Sequence, residues 1–231
     1  MCRVPYVSLA SLAAVLLDAG HTAKILDLSV SRNPPDDLQR MLRIYRPHWV
    51  GVTFTIGLTG EAAAIAARVK AFDPSVLTVA GGAHPSVFPA ETVQEYDFDY
   101  AVFGEGEITL RELVDGQPPS GIRGLAFRGD DGKVVLNPPR ELMEDLDSLP
   151  YPAFYLYNAR NYFSPRITAR RSPAAAIETS RGCPFNCIFC NKRVFQRKVR
   201  TKSPERVVDE IPGRLSAASF SGWPKGSSSW Y

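Results

Sequence analysis

A chain of 231 residues is long enough for one large or two small domains, and an apolar fraction of 45% can fill an ordinary core. A net charge of +3 is too small to point to a nucleic-acid partner, and no uninterrupted apolar stretch is long enough to span a bilayer. Arg3 and the apolar run Val4 to Leu17 have the outline of a signal peptide, but Asp18, Gly20 and His21 end the run without a small-residue cleavage site. A cytoplasmic location is the expectation, with three clustered cysteines kept as thiols in a reducing compartment.

In chain order, Tyr6 to Ala19 reads as a helix with Leu9, Leu12, Ala13, Leu16 and Leu17 on one face and Gly20 as C-cap. Ala23 to Leu28 reads as a strand. Asn33-Pro-Pro-Asp-Asp37 breaks the chain and opens a helix with acids in its first turn, which suits the helix dipole. Leu38, Met41, Leu42 and Tyr45 are its apolar face, and Pro47 ends it. Val50 to Thr55 is a buried strand. Leu58, Ala62, Ile65, Ala66, Val69 and Phe72 repeat at helical spacing. A strand over Val76 to Ala80 runs straight into Gly81-Gly82. Pro89 to Tyr96 is a helix, Asp99 to Phe103 a strand and Glu107 to Val114 a helix.

Near-continuous apolar strands alternating with helices predict an α/β fold with a doubly wound parallel sheet. In such sheets ligands bind beyond the carboxyl ends of the strands. Those ends are Thr53-Phe54-Thr55, Gly81-Gly-Ala-His84 and Gly104-Glu-Gly-Glu107, where small residues let a large flat ligand reach the backbone. Gln117-Pro-Pro-Ser120 is a linker. Gly129-Asp-Asp-Gly132 between Gly121–Arg128 and Lys133–Leu136 is a hairpin signal. Acids, leucines and two prolines fill Glu141 to Pro152, and Phe154, Tyr155, Tyr157, Tyr162 and Phe163 form an aromatic cluster, read first as packing and second as a substrate wall.

Downstream lies the most informative stretch, Glu178-Thr-Ser-Arg-Gly-Cys-Pro-Phe-Asn-Cys-Ile-Phe-Cys190. Cys183, Cys187 and Cys190 have the spacing C-x3-C-x2-C, and Gly182 and Pro184 suit a tight turn. Three close thiolates suit zinc or an iron–sulfur cluster. A structural zinc site needs a fourth ligand, which would have to come from distant Cys2. A cubane cluster takes one thiolate per iron, so three cysteines leave one iron open. From Arg160 to Lys202 there are eleven Lys or Arg and one acid, Glu178, read as a solvated basic face or one turned partly toward an anionic cofactor. Ser203 as N-cap, Pro204 at the first position and Glu205 in the first turn start a last helix, which Pro212-Gly213 is expected to end.

The cysteine loop, with Phe189 before its last cysteine, resembles the signature loop of the radical S-adenosylmethionine enzymes. Ala174 to Ser180 resembles the strand that feeds it, and Arg200 to Ile211 the helix that follows. The resemblance implies a [4Fe-4S] cluster held by Cys183, Cys187 and Cys190, with S-adenosylmethionine chelated to the fourth iron and cleaved by one electron to a 5′-deoxyadenosyl radical. It places Phe189 near the adenine. Ser11 to His21, Gly81-Gly-Ala-His-Pro85 and Gly104-Glu-Gly-Glu107 resemble the cobalamin-binding domain that precedes this module in B12-dependent members, and Glu-Asp-Leu-Asp-Ser-Leu-Pro-Tyr-Pro, within Glu141 to Pro152, resembles the connector between the two family domains. Thr53, Thr55, Gly81, Gly82, Gly104, Glu105 and Gly106 would then line the cobalamin site. There is no D-x-H-x-x-G sequence, so no axial histidine from that motif, and neither His21 nor His84 is expected to replace it.

The expected organisation is a cobalamin-binding-like domain over 1–118 lacking its first strand, a hairpin and linker over 119–172, the start of a radical S-adenosylmethionine barrel over 173–212, and a disordered tail over 213–231. A complete barrel of this kind runs to about 250 residues, so the chain reads as a piece short at both ends, its tail an out-of-frame or truncated end. The expected activity is radical methyl transfer or oxidative cyclisation on a small molecule, with an external electron donor and no membrane partner, this piece by itself being inactive. Two other readings stand beside it: a non-catalytic corrinoid or iron–sulfur module needing a partner chain, and an RNA-modifying enzyme using the basic segment.

Overall fold

The computed structural model describes residues 4–167, 174, 176–191 and 193–216. The chain divides into two units, one of Asn33–Leu146 with Ser180–Thr201 and one of residues up to Arg32 with Asp147–Thr179 and Lys202 onward.

The first of these units is built on a five-stranded sheet. After helix α2 (Pro34–Tyr45; α1 belongs to the other unit) come β1 (Trp49–Thr53), α3 (Thr59–Phe72), β2 (Leu77–Gly81), the short α4 (Ala83–Val87), α5 (Pro89–Glu95), β3 (Tyr100–Val102) and α6 (Glu107–Val114). β4 (Leu125–Arg128) and β5 (Val134–Leu136) complete it in the order β1-β2-β3-β4-β5. β1, β2 and β3 are parallel, with Thr53 paired to Gly81 so that the first two carboxyl ends lie level. The Gly129–Gly132 hairpin forms as its turn residues predict and adds itself to this sheet, β4 pairing antiparallel with β3. The result is a mixed sheet with a parallel half.

Both faces of the sheet are covered, which is why its strands read as continuous apolar runs. Ala80, Ala101 and Ala126 pack with Ala62 and Ala66 of α3, Val93 of α5, Phe54 and Phe98. Their neighbours in sequence, Val79, Val102 and Leu125, pack with Leu113 of α6 and Ile122. The switch of face at each successive residue is the period of two of a strand. Alanines four apart on α3 let that helix lie close to the sheet. At the amino end of β2 the Asp99 carboxylate accepts from the Thr78 N–H at 2.7 Å and from the Thr78 hydroxyl at 2.9 Å, and meets Lys70 Nζ at 2.6 Å.

The second unit gathers α1 (Val7–Asp18) with the aromatic segment. Ala10 packs with Phe154, Tyr157 and Tyr162, and Ala13 and Ala14 with Ala153. The Tyr157 hydroxyl donates to the Tyr6 carbonyl at 2.9 Å and the Tyr162 hydroxyl to Asp27 at 2.8 Å. Burial, with Asp27 nearby, pushes both phenols well above the ordinary tyrosine value. Packing is the role of these three rings; Tyr155 and Phe163 are exposed. Helix α7 starts at Pro204, with the Ser203 hydroxyl capping the Arg206 N–H at 3.1 Å and the Ser203 N–H donating to Asp147. The Ser203 bonds hold the Asp147 carboxyl below the usual carboxylate range.

Three expectations are corrected. Ala23–Leu28 is not a strand: Ile25 packs against the α1 clusters, so the apolar residues there report burial on a helix, and no described strand pairs with them. Of Ala174–Ser180, the described residues form only the start of a two-residue ladder, β6 (Ser180–Arg181) antiparallel to β7 (Arg200–Thr201). Helix α7 does not end at Pro212-Gly213 but runs to Ser216; a proline removes one intrahelical bond without forbidding the next turn. Residues 217–231 of the expected disordered tail, and Cys2, lie outside the described residues. No helix among the described residues is long and apolar enough to cross a membrane.

Candidate cofactor site

The carboxyl ends of the three parallel strands are laced together. Phe54 N–H donates to the Gly81 carbonyl at 3.1 Å, and His84 N–H to the Phe54 carbonyl at 3.2 Å. The Ser86 hydroxyl donates to the Gly82 carbonyl at 2.7 Å and accepts from the Gly104 N–H at 3.1 Å, joining the ends of β2 and β3. Ser86 is buried in α4, a helix that the sequence reading did not foresee; it is the residue of this region that sequence reasoning missed. Gly82 has φ +97°, and a Cβ there would lie 2.6 Å from Thr53 Oγ1, so only glycine lets these two ends meet. Gly104 also has positive φ, but a Cβ there would meet nothing within 4 Å. Its backbone is approachable from outside.

Around these turns the surface is open and apolar. Thr53 and Thr55 are exposed, as are Ile56, Leu58 and Phe88. The His84 ring lies 5.4 Å from Phe54 and 5.3 Å from Phe88, and its buried Nδ1 has no hydrogen-bond partner. Glycine backbones, hydroxyls and apolar side chains at level strand ends suit a broad flat ligand.

The three-cysteine loop springs from the β6/β7 ladder in the same unit. Gly182 has φ +93°, and a Cβ there would collide with the Lys198 carbonyl group, its carbon 2.8 Å away. The two ends of the loop therefore touch at Gly182. Beyond this pinch Cys183, Cys187 and Cys190 are all exposed thiols, Cys190 N–H bonding the Cys187 carbonyl at 3.2 Å. No group of His, Cys, Asp or Glu among the described residues is arranged to hold a metal ion, so the expected convergence of the three thiols is not present in this geometry. Such ligand sets close as metal–thiolate bonds form, and those bonds supply free energy that loop contacts do not. The donor set itself, three thiols within eight residues on a pinched loop, suits a soft metal centre. Phe189, expected beside an adenine, is exposed at the loop tip with Phe185 and Ile188.

The base of this loop and one strand end meet in a buried ion cluster. Arg181 and Arg200 are register partners of the ladder. Glu105 takes Arg181 Nη1 at 3.2 Å on Oε1, and on Oε2 Arg200 Nη1 at 2.8 Å and the Met143 N–H at 2.9 Å. Arg181 Nη2 reaches Glu107 at 2.6 Å. The four side chains are between 3% and 8% exposed. Burial alone would push the Glu105 carboxyl up; the Arg200 and Met143 hydrogen bonds and the two guanidinium charges outweigh it and hold it below the usual range. Glu105 thus has an ionic task beside the cobalamin-lining role expected of it. Gly106 sits between the two acids at the start of α6. Sequence reasoning missed Arg181 and Arg200; the one available signal was their place in the basic segment. A cavity of about 320 Å³ lies alongside, lined by Glu105, Glu107, Ile108, Arg123, Arg140 and Met143 among others.

The B12 binding domain model matches residues 3–114. An uncharacterized methyltransferase of Pyrococcus horikoshii, PH0819, is 34% identical over 213 residues, which cover 90% of this chain and 45% of that protein. The amino-terminal part of the chain thus matches the B12 binding domain, and the chain is similar over most of its length to a methyltransferase. The anaerobic magnesium-protoporphyrin IX monomethyl ester cyclase of Rubrivivax gelatinosus is 30% identical over 216 residues, covering 90% of this chain and 38% of the cyclase. The structure of the radical S-adenosylmethionine methyltransferase TsrM from Kitasatospora setae, with cobalamin and a [4Fe-4S] cluster bound, matches with a TM-score of 0.64 at 24% identity, covering 91% of this chain and 43% of that one. The likeness to TsrM is one of fold. The chain spans less than half the length of each of these proteins.

Proposed function

We propose that this chain carries the cobalamin-binding part and the cluster loop of a radical S-adenosylmethionine enzyme that transfers a methyl group or closes a ring oxidatively on a small-molecule substrate. The observation that carries the reading is the order and joining of two elements in one unit. Level strand ends open to a flat ligand, and the last of them, Gly104–Glu107, is ion-paired to the base of the C-x3-C-x2-C loop. The methyltransferase and cyclase among its relatives support the reaction class. Thr53, Thr55, Gly81, Gly82, Gly104, Glu105 and Gly106 would hold cobalamin, and Cys183, Cys187 and Cys190 a [4Fe-4S] cluster with S-adenosylmethionine at the open iron.

When bound, the cluster supplies one-electron chemistry, the electron coming from an external donor, and the corrinoid supplies methyl or redox chemistry. The protein's own part is binding and orientation. Glycine backbones at the strand ends admit the corrin face. The Gly182 pinch fixes where the thiol loop begins and returns, and exposed Phe185, Ile188 and Phe189 supply apolar cover for a cofactor that must be kept from water. Anaerobic reconstitution with iron and sulfide tests the reading, followed by iron counting and retention of hydroxocobalamin on gel filtration. About four irons per chain, as one cubane requires, with loss of iron in the Cys183→Ala variant and co-elution of the corrinoid, is expected. Stoichiometric zinc in place of iron, or no retained corrinoid, would contradict it.

A further inference from the structure

We propose that Glu105, Glu107, Arg181 and Arg200 couple the two cofactor sites, so that occupation of one raises the affinity of the other. The inference rests on the two-site reading above and adds to it a linkage and the residues that carry it.

The cluster joins two segments far apart in sequence and each short. Glu105 and Glu107 belong to the turn that begins at Gly104, whose backbone faces open space at the strand end. Arg181 lies two residues before Cys183, and Arg200 is its partner across a ladder of only two residue pairs. Glu105 touches both arginines, so a shift of the Gly104 turn is felt at both ends of the cysteine loop together. Arg200 also donates to the Met143 carbonyl at 2.7 Å, and the Met143 N–H donates back to Glu105, closing a ring of contacts. Lys198, inside the Gly182 pinch, is held by Glu144, the residue after Met143.

Stability alone does not account for this arrangement. A buried ion pair gives little over apolar residues of the same volume, and here it is incompletely satisfied: Arg200 Nε and Nη2 are buried without a hydrogen-bond partner. In some proteins buried charged groups serve to select one arrangement over others. An arrangement needing selection is present. The three thiols are exposed and, among the described residues, not arranged as a metal site, so holding one centre calls for a different arrangement of the loop. A ligand whose binding state is only partly populated binds more weakly by that fraction, and a second ligand that favours the state restores the affinity. Corrinoid seated on Gly104–Gly106 would favour the paired acids and arginines, and with them the loop base, over arrangements in which the pairs are open. Reciprocity requires the converse.

The test is the dissociation constant of hydroxocobalamin, titrated by absorbance on the full chain with and without a reconstituted cluster. The unaltered protein is expected to bind it at least about five-fold more tightly with the cluster, the lower end of ordinary coupling. Arg200→Met is expected to reduce that ratio to less than half, and Arg200→Lys to restore part of it. The charge-balanced variant Glu107→Met/Arg181→Met leaves the Glu105–Arg200 pair in place and serves if Arg200→Met does not fold; its ratio is expected to fall likewise. The ratio is the readout because a general loss of affinity or stability leaves it unchanged. An unaltered protein that loads both cofactors with a ratio near one, or variants that keep the full ratio, would overturn the coupling while the two-site reading stands. Failure of the unaltered protein to load either cofactor would overturn both.

Discussion

At the scale of single residues, two positions make the clearest statements. Gly182 combines a positive φ with a contact that leaves no room for a Cβ. Gly182→Ala should lower stability by about 1–3 kcal/mol, the usual range for one strained backbone position, and should lower iron loading with it. Gly104→Ala, which meets open space, should cost only its backbone strain and leave iron loading intact. Chemical denaturation with iron counting on both variants checks this; equal iron loss would contradict it. Glu105 carries a pH dependence. Its folded carboxyl is depressed below the usual value, so its contribution is complete above the unfolded carboxylate range and is lost as pH falls through the depressed value. Melting temperature should therefore fall toward acid more steeply in the unaltered protein than in Glu105→Gln, whose baseline is lower because two buried arginines lose a partner, a loss of about 3–5 kcal/mol when a buried pair is broken. Parallel curves would contradict it.

Among the elements, the aromatic segment after the connector is tied to α1. Phe154 is 2% exposed and packs on Ala10, while its neighbour Ala153 donates its N–H to the Ala10 carbonyl at 2.9 Å. Phe154→Ala should destabilise that unit by about 3–5 kcal/mol, the range for a buried phenylalanine; a melt unchanged within a degree would contradict it. This pairing was not legible in the sequence, because a periodic apolar face states that a helix is buried without stating against what. What was legible were elements whose signal is local. The helical repeat through Ala62, Ala66 and Val69, the continuous run of β2 and the Gly129–Gly132 turn each formed at the expected place. Ala23–Leu28 carries apolar residues without a ladder, since pattern cannot tell packing on a helix from pairing in a sheet. The site divides in the same way. Glycines at strand ends and the cysteine spacing are marks of backbone conformation and ligand type, and both could be read. Arg181 and Arg200 reach Glu105 and Glu107 across 74 to 95 residues of sequence, and Ser86 reaches Gly104 across 18, contacts which no local pattern records.

For the molecule as a whole, the strand ends and the cysteine loop, proposed above as two cofactor sites, lie in one unit and are joined by the Glu105, Glu107, Arg181 and Arg200 side chains. The chain spans 45% of PH0819, so the substrate and the completed reaction belong to the proposal. The cluster is the part most open to direct trial. The decisive measurement is the electron paramagnetic resonance spectrum of the anaerobically reconstituted and reduced protein, recorded with and without S-adenosylmethionine. A [4Fe-4S] signal that changes on adding S-adenosylmethionine is the predicted result, since three cysteines leave one iron open to it. A protein that forms no such cluster, or one whose signal is indifferent to S-adenosylmethionine, would contradict the account.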